Sequence, residues 1–297
     1  SSAPLPDTAR RVDMKVMRGV AVAAVLLFHA GVLPAGYLGV DLFFALSGFL
    51  ITGIVAGGLA AGDFRVGAFY RRRAARILPP ALVTLAAATA LAPFLLPPTA
   101  YGAFEADLFG ALTFTANVIV WLQADQAAGG GTAPLRHFWS LAVIQQFYLL
   151  WPLLLIALGP RLRTAGVLAG ILLSLALALA LSRGLIDRWV PPELSVAAAF
   201  YLLPARAFEL LIGAAAALLV LRGGRRTLPR PVAVLAGAGL LALVAGAPGL
   251  SGPWPGLAVS LLAAVLFASD DGWLPRCGAV RSVARIGDWS YSIYLVH

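Results

Sequence analysis

Apolar residues fill this chain in long, unbroken runs separated by short polar gaps. A membrane span needs about 20 apolar residues. Stretches of that kind lie at roughly 16–35, 37–61, 77–98, 104–122, 138–158, 164–182, 194–221, 231–247 and 253–269, and a tenth begins at about 286 and is cut at His297. The runs of Ala, Leu and Val show no alternation with period two, so they predict helices rather than the strands of a barrel. No internal repeat and no long linker divides them. The pattern predicts an all-α, polytopic transmembrane bundle of about nine to ten helices around a central polar cavity. It predicts one integral-membrane domain over residues 1–297, truncated at its C-terminal end.

Composition narrows the class. Of 297 residues, 61% are hydrophobic and 12% charged, and mean hydropathy is +0.90. Ordinary soluble domains are about 25% charged. The chain therefore carries too few charged side chains to cover a soluble fold of this length, and the apolar content excludes a disordered or collagen-like protein. The single cysteine, Cys277, excludes a disulfide scaffold. Residues 1–15 are polar and no small-residue cleavage site follows the first apolar run, so no cleavable signal is expected.

The formal net charge of +9 comes from arginines placed between the apolar runs. That is the pattern of positive cytoplasmic loops, not of a nucleic-acid-binding face. Arg10, Arg11 and Lys15 precede the first span; Arg71, Arg72, Arg73 and Arg76 precede the third. Arg161 and Arg163 follow the fifth; Arg222, Arg225, Arg226 and Arg230 follow the seventh; Arg276, Arg281 and Arg285 follow the ninth. If all are cytoplasmic, an even number of crossings separates Arg76 from Arg161. Three candidates lie there, so one of 77–98, 104–122 and 138–158 does not cross. The weakest are 77–98, with five prolines, and 104–122, with Glu105, Asp107 and Asn117. Such a segment is tolerated at membrane depth only where protein or water covers its backbone.

Charged and ionisable groups inside spans are costly and mark pathways or sites. Arg18 and His29 are 11 residues apart on the first span, which puts both on one helix face, about 16 Å apart along the axis. Arg18 suits an interfacial anchor or a channel lining; His29 suits a packing hydrogen bond or a general base. Asp41 opens the second span after a Gly/Pro-containing turn. It suits a helix cap, or a carboxylate that fixes the His29 tautomer. Ser47 and Gly48 lie two turns deeper and suit close helix packing. Arg206 and Glu209, at i and i+3 near mid-span, are placed to pair. With three Glu and three His in the whole chain, His29 with Asp41 is the best available dyad.

Arg71–Arg76 combines a topology signal with an anion-binding composition, since arginine forks grip phosphate bidentately. Coenzyme A carries several phosphates and suits such a cluster. No His pair has ligand spacing, so no metal is expected. No phosphate-cradle or dinucleotide fingerprint is present, and Gly129-Gly130-Gly131 reads as a loop tip.

In order, these pieces resemble the membrane acyltransferase-3 family, integral-membrane enzymes that O-acylate surface glycans. Arg18-Gly19 through His29 is similar to the family's arginine–ten residues–histidine motif. Gly36 to Thr52, GYLGVDLFFALSGFLIT, resembles its most recognisable stretch. Phe69 to Pro79, FYRRRAARILP, is similar to its Arg-x-x-Arg loop. His137 to Val143, with Gln146-Phe147-Tyr148, flanks a further motif. Arg206 to Gly213 and Ser290 to His297 are weaker echoes. After Val143 the family usually has Glu; here Ile144 and Gln145 stand instead, removing a buried acid and placing activity in question.

The resemblance implies an acyltransferase, a transferase of groups other than aminoacyl, that moves an acyl group, expected to be acetyl, from acetyl-CoA to a hydroxyl of a carbohydrate or other cell-envelope acceptor. It implies His29 and Asp41 as catalytic, with Asp41 orienting the imidazole. Arg18, Arg73 and Arg76 would hold the donor. Ser47, Trp139, Ser140, Tyr148, Arg206, Glu209, Tyr291 and Tyr294 would line the cavity or meet the acceptor. No bound cofactor is expected; acyl-CoA is a co-substrate, the bilayer a partner, and the bacterial plasma (inner) membrane the location. The competing reading is a non-catalytic relative or a proton-coupled transporter, which intramembrane His, Asp, Arg and Glu also suit.

Overall fold

A computed structural model describes residues 12–124, 133–223, 229–246, 251–269, 274–275 and 277–297. Arg10, Arg11, the Gly129–Gly131 run, Arg225, Arg226 and Arg276 lie outside the described residues. Every regular element among the described residues is helical: α1 (Val12–His29), α2 (Gly39–Ala61), α3 (Val66–Leu95), α4 (Tyr101–Thr113), α5 (Ala116–Leu122), α6 (Phe138–Ser182), α7 (Pro192–Tyr201), α8 (Leu203–Gly223), α9 (Arg230–Ala245), α10 (Trp254–Ala268) and α11 (Gly278–Val296). Short 3-10 turns occupy Gly36–Leu38 and Pro98–Ala100. Among the described residues four helical stretches are long and apolar enough to cross a membrane: Gly36–Ala61, Val66–Leu95, Phe138–Ser182 and Pro192–Gly223.

The structure redraws several expected boundaries. The first helix stops at His29, not 35, because Gly31 turns the chain at φ +71° ahead of Pro34. The expected helix over 104–122 is broken where Phe114 adopts the left-handed conformation, φ 56°. At about 1.5 Å per residue, neither α4 nor α5 is long enough for a 30 Å hydrocarbon core. Of the three doubtful segments this is the one too short to span. Residues 138–182 run as one element that bends at Gly159. Pro160 bars its predecessor from the helical region, and φ +62° is open to glycine at no steric cost.

The seventh span is also interrupted: Leu202 is extended just ahead of Leu203-Pro204. Pro204 lacks the N–H that a continuous helix would use. The Asn117 side chain donates to Tyr201 O at 3.2 Å, supplying a partner for a carbonyl at the break.

The arginine cluster belongs to a helix, not to a loop. α3 begins at Val66, so Arg71, Arg72, Arg73 and Arg76 occupy its opening turns. Gly62 ends α2 at φ +74°, only three residues separate Gly62 from Val66, and the helix starts ahead of its apolar stretch. Arg73 and Arg76, at i and i+3, consequently share one face.

Two helix pairs position the polar residues. α2 and α8 touch through glycines: a Cβ on Gly48 would lie 1.7 Å from Leu210 O, and one on Gly213 would lie 1.9 Å from Ala45 O. α1 and α11 do the same, with Gly19 against Val283 O at 2.2 Å and Gly287 against Lys15 O at 1.8 Å. Without side chains at these crossings the backbones approach closely, the arrangement that stabilises helix pairs in lipid. The first pair brings Asp41 to Arg206 and Glu209. The second brings Arg18 and His29 toward Tyr291 and Tyr294.

Candidate active site

Two cavities lie along α1, one reached by Arg18 in its second turn and the other by His29 at its C-terminal end. The smaller, about 140 Å³, is lined by Arg18, Ser47, Arg73, Arg76, Ser140, Tyr148, Tyr291 and Tyr294, together with Ile144, Gln145 and Asp288. All three expected donor-binding arginines therefore converge, from α1 and α3. The Arg73 guanidinium sits over the Tyr148 ring, 5.2 Å from its centroid, and over Phe69 at 5.7 Å. Such stacking holds a cation in place without consuming its hydrogen-bond donors. Asp288 is the one carboxylate in this lining, and Lys15 holds it at 2.9 Å. Three guanidiniums with a carboxylate already engaged favour an anion of phosphate size. Tyr291 donates to Ile77 O at 2.8 Å, tying α11 to α3 beside the arginines.

Ile144 and Gln145 stand in the wall of this same cavity. The position that departs from the family pattern thus faces the arginines rather than lipid.

The larger cavity, about 910 Å³, contains His29, Asp41, Trp139, Arg206 and Glu209 in its wall, with Tyr294 again. Trp139 packs among Phe44, Phe200 and Tyr201, with ring centroids 5.1 to 6.1 Å apart. Arg206 lies over Phe44 and Phe200, at 5.4 and 5.2 Å. Its guanidinium donates to Asp41, and also to Glu209 Oε2 at 3.2 Å, with Nε 3.1 Å from Glu209 Oε1. Asp41 and Glu209 are buried, and Gly256 of α10 leaves room for them: a Cβ there would fall 2.7 Å from Glu209 Oε1. The expected Arg206–Glu209 pair is present, extended by Asp41 into a buried triad.

The expected His29–Asp41 hydrogen bond is not what the geometry shows. Asp41 is bonded to Arg206, and His29 Nδ1 is 3.0 Å from Val25 O, one turn back on its own helix. Arginine presents a fork of permanently charged donors, so it captures the carboxylate ahead of an imidazole. A carbonyl oxygen only accepts. The hydrogen of neutral His29 therefore resides on Nδ1, and Nε2 is left as the basic nitrogen. The tautomer expected from a carboxylate is fixed by a backbone carbonyl instead.

Two residues outside the expected set complete the cavity. His137 and His297 line it beside His29. Ring centroids are 5.0 Å apart for His29 and His297 and 4.7 Å for His137 and His297. His297 Nδ1 donates to Tyr294 O at 2.6 Å, and its Nε2 is buried without a partner. His137 Nε2 donates to Leu295 O at 3.3 Å. His137, which caps α6 from outside the helix, is pushed down to about 4 by burial, with neighbouring His297 adding to the shift. Among the described residues no group of three or more His, Cys, Asp or Glu is arranged to hold a metal ion. Each sits in a stretch that carries the resemblance, but that the chain's three histidines converge on one cavity is visible only in the packed bundle.

Comparison with known proteins bears on this arrangement. The acyltransferase-3 family model, described as an acyltransferase domain, matches residues 11–297. The chain belongs to the acyltransferase-3 family. It is 31% identical over 209 residues to the Bacillus subtilis protein named "Putative peptidoglycan O-acetyltransferase YrhL", covering 68% of this chain and 32% of that protein. It is 28% identical over 156 residues to O-acetyltransferase OatA of Staphylococcus aureus, covering 51% of this chain and 26% of OatA. The matched stretch thus spans a third or less of each relative's length. No solved structure matches. Family membership makes the chain an acyltransferase domain, and each cavity draws part of its lining from the stretches that carry the family pattern.

Proposed function

We propose that this domain, embedded in a bacterial inner membrane, moves an acetyl group from acetyl-CoA to a hydroxyl of a carbohydrate or other cell-envelope acceptor. The observation that carries this reading is the pairing of an arginine-lined cavity at Arg18 of α1 with a histidine-bearing cavity at the C-terminal end of the same helix. Arg18, Arg73 and Arg76 bind donor phosphates on the cytoplasmic side. The acceptor occupies the larger cavity, where aromatic faces of Trp139, Phe200 and Tyr201 suit a sugar ring and the Arg206 triad suits its hydroxyls. The names of the relatives, one a peptidoglycan O-acetyltransferase, support a cell-wall glycan as acceptor.

In this mechanism His29 Nε2 accepts the proton of the acceptor hydroxyl as its oxygen attacks the thioester carbonyl. The C–O bond forms and the C–S bond breaks. The proton then passes from the imidazolium to the coenzyme A thiolate, so the products are the ester and free thiol. Asp41 acts through Arg206, holding the far wall of the cavity, and not through His29.

The competing non-catalytic reading rests on Ile144, an apolar side chain in the arginine cavity. Purified protein supplied with labelled acetyl-CoA and a chito-oligosaccharide separates the two. Label on the oligosaccharide that depends on His29 supports transfer. Coenzyme A binding without transfer to any glycan, or proton-coupled uptake into vesicles, supports the alternatives.

A further inference from the structure

Tyr294 lines both cavities. It is 8% exposed, and its hydroxyl is held from two directions. It lies 2.5 Å from Ser140 Oγ and donates to His137 O at 3.0 Å. A phenol has one hydrogen; spent on His137, it leaves Tyr294 Oη to accept from Ser140. Ser140 belongs to the wall of the arginine cavity and His137 to the wall of the histidine cavity. The ring is flanked in the same sense. Phe43, a lining residue of the arginine cavity, meets it at 6.1 Å, while His137 and His297 meet it at 5.8 and 5.0 Å.

Arg18 and His29 are separated by about 16 Å along α1. A donor whose phosphates rest on Arg18, Arg73 and Arg76 must send its acyl end along that axis to come near His29. Tyr294 stands where the two cavities meet. We propose that Tyr294, latched by Ser140 and His137, is a movable partition in a single acyl path. Closed, it separates the arginine cavity from the histidine cavity. Swung aside, it lets the donor's thioester arm pass. The swing belongs to the side chain: α11 is pinned to α1 where Gly287 meets Lys15 O. The partition rests on the reading of the chain as a membrane-spanning domain with its cavities opening to opposite sides. Transfer through it follows the balance already given, with C–S broken, C–O formed and the proton delivered to the thiolate.

The test reads access and transfer separately. In a Cys277→Ser background, Ser47→Cys places a thiol in the wall of the arginine cavity. A charged, impermeant methanethiosulfonate is added to one side or the other of sealed proteoliposomes of defined orientation. With Tyr294 intact, labelling is expected from the arginine side only. Tyr294→Ala is expected to admit reagent from both sides. Tyr294→Phe combined with Ser140→Ala keeps the ring and removes the latch; it is expected to raise labelling from the histidine side at least several-fold, and it serves if the alanine variant fails to fold. Two-sided labelling with Tyr294 intact overturns the proposal, as does one-sided labelling that neither variant changes. Acetyl transfer and coenzyme A binding are measured on the same preparations. Loss of both in the parent, with the labelling pattern as expected, sinks the acetyl-CoA reading and leaves the partition standing.

Discussion

Asp41 places its carboxylate on the guanidinium of Arg206, on the helix that crosses its own through Gly48 and Gly213. The same guanidinium grips Glu209. One permanent cation thus answers two buried acids. Removing it strands both, and breaking a buried pair in this way costs about 3–5 kcal/mol. Arg206→Ala should therefore unfold at clearly lower temperature than the parent in the same detergent. Arg206→Lys keeps the charge but not the fork and should fall between. If Arg206→Ala melts with the parent, the triad is not structural.

His29 has the opposite character. It is exposed to the cavity at the end of α1, and its hydrogen-bond partner is a carbonyl of its own helix. His29→Ala should leave folding and coenzyme A affinity intact while lowering acetyl transfer by roughly 10²–10⁴-fold. Asp41→Asn, which does not touch His29, should lose less. Equal losses in the two variants would restore a direct dyad.

Arg73→Ala with Arg76→Ala should weaken coenzyme A binding and flatten its dependence on salt, because both charges face one small cavity. Glycan affinity should change little. Titration of coenzyme A at several ionic strengths decides it. Unchanged affinity with altered orientation in the membrane would reduce the cluster to a topology signal.

Ile144→Glu introduces a carboxylate beside Arg18, Arg73 and Arg76. Since Ile144 faces these cations, the variant should fold at least as well as the parent and should raise acetyl turnover, or create it where none is measurable. A variant less stable than the parent with no gain in transfer would count against an acid at this position and for the non-catalytic reading.

Burial pushes the His137 imidazole down to about 4 in the fold, against about 6.5 for an unfolded chain. Between those values the unfolded state binds more protons, so stability falls as pH drops through that window. The full shift corresponds to at most ~3 kcal/mol. Melting temperature followed from pH 7 to pH 4.5 should decline, and His137→Gln should flatten the decline. An identical slope in the variant would assign the dependence to other groups.

Arg18 and His29 were legible from their spacing alone, since eleven residues return to the same face of any helix. Arg73 and Arg76 were legible as an anion-suited pair, though not as part of a helix: nothing in an arginine-rich stretch tells where an apolar helix will begin. The break at Phe114 left no glycine or proline to announce it; the residue takes the left-handed conformation in its tertiary setting, with Thr115 N bonded back to Gly110 O. Nearness in sequence favours His29 as the partner of Asp41, and the packed bundle overrides it. Arg206 lies 165 residues away and arrives through the crossing of α2 and α8. His137 and His297 were hidden by the same limit, as convergence of distant segments is a property of the packed bundle.

The glycine crossings constrain how this protein can move. Where a backbone carbonyl sits within contact of a bare α-carbon, neither helix can slide along the other without driving the next side chain into that carbonyl. α1 is thereby keyed to α11, and α2 to α8, at fixed depth. Arg18 and His29 cannot change level relative to Tyr294, nor Asp41 relative to Arg206. Whatever travels between the two cavities must do so through a scaffold of constant height, by rotation of side chains and by the substrate's own length.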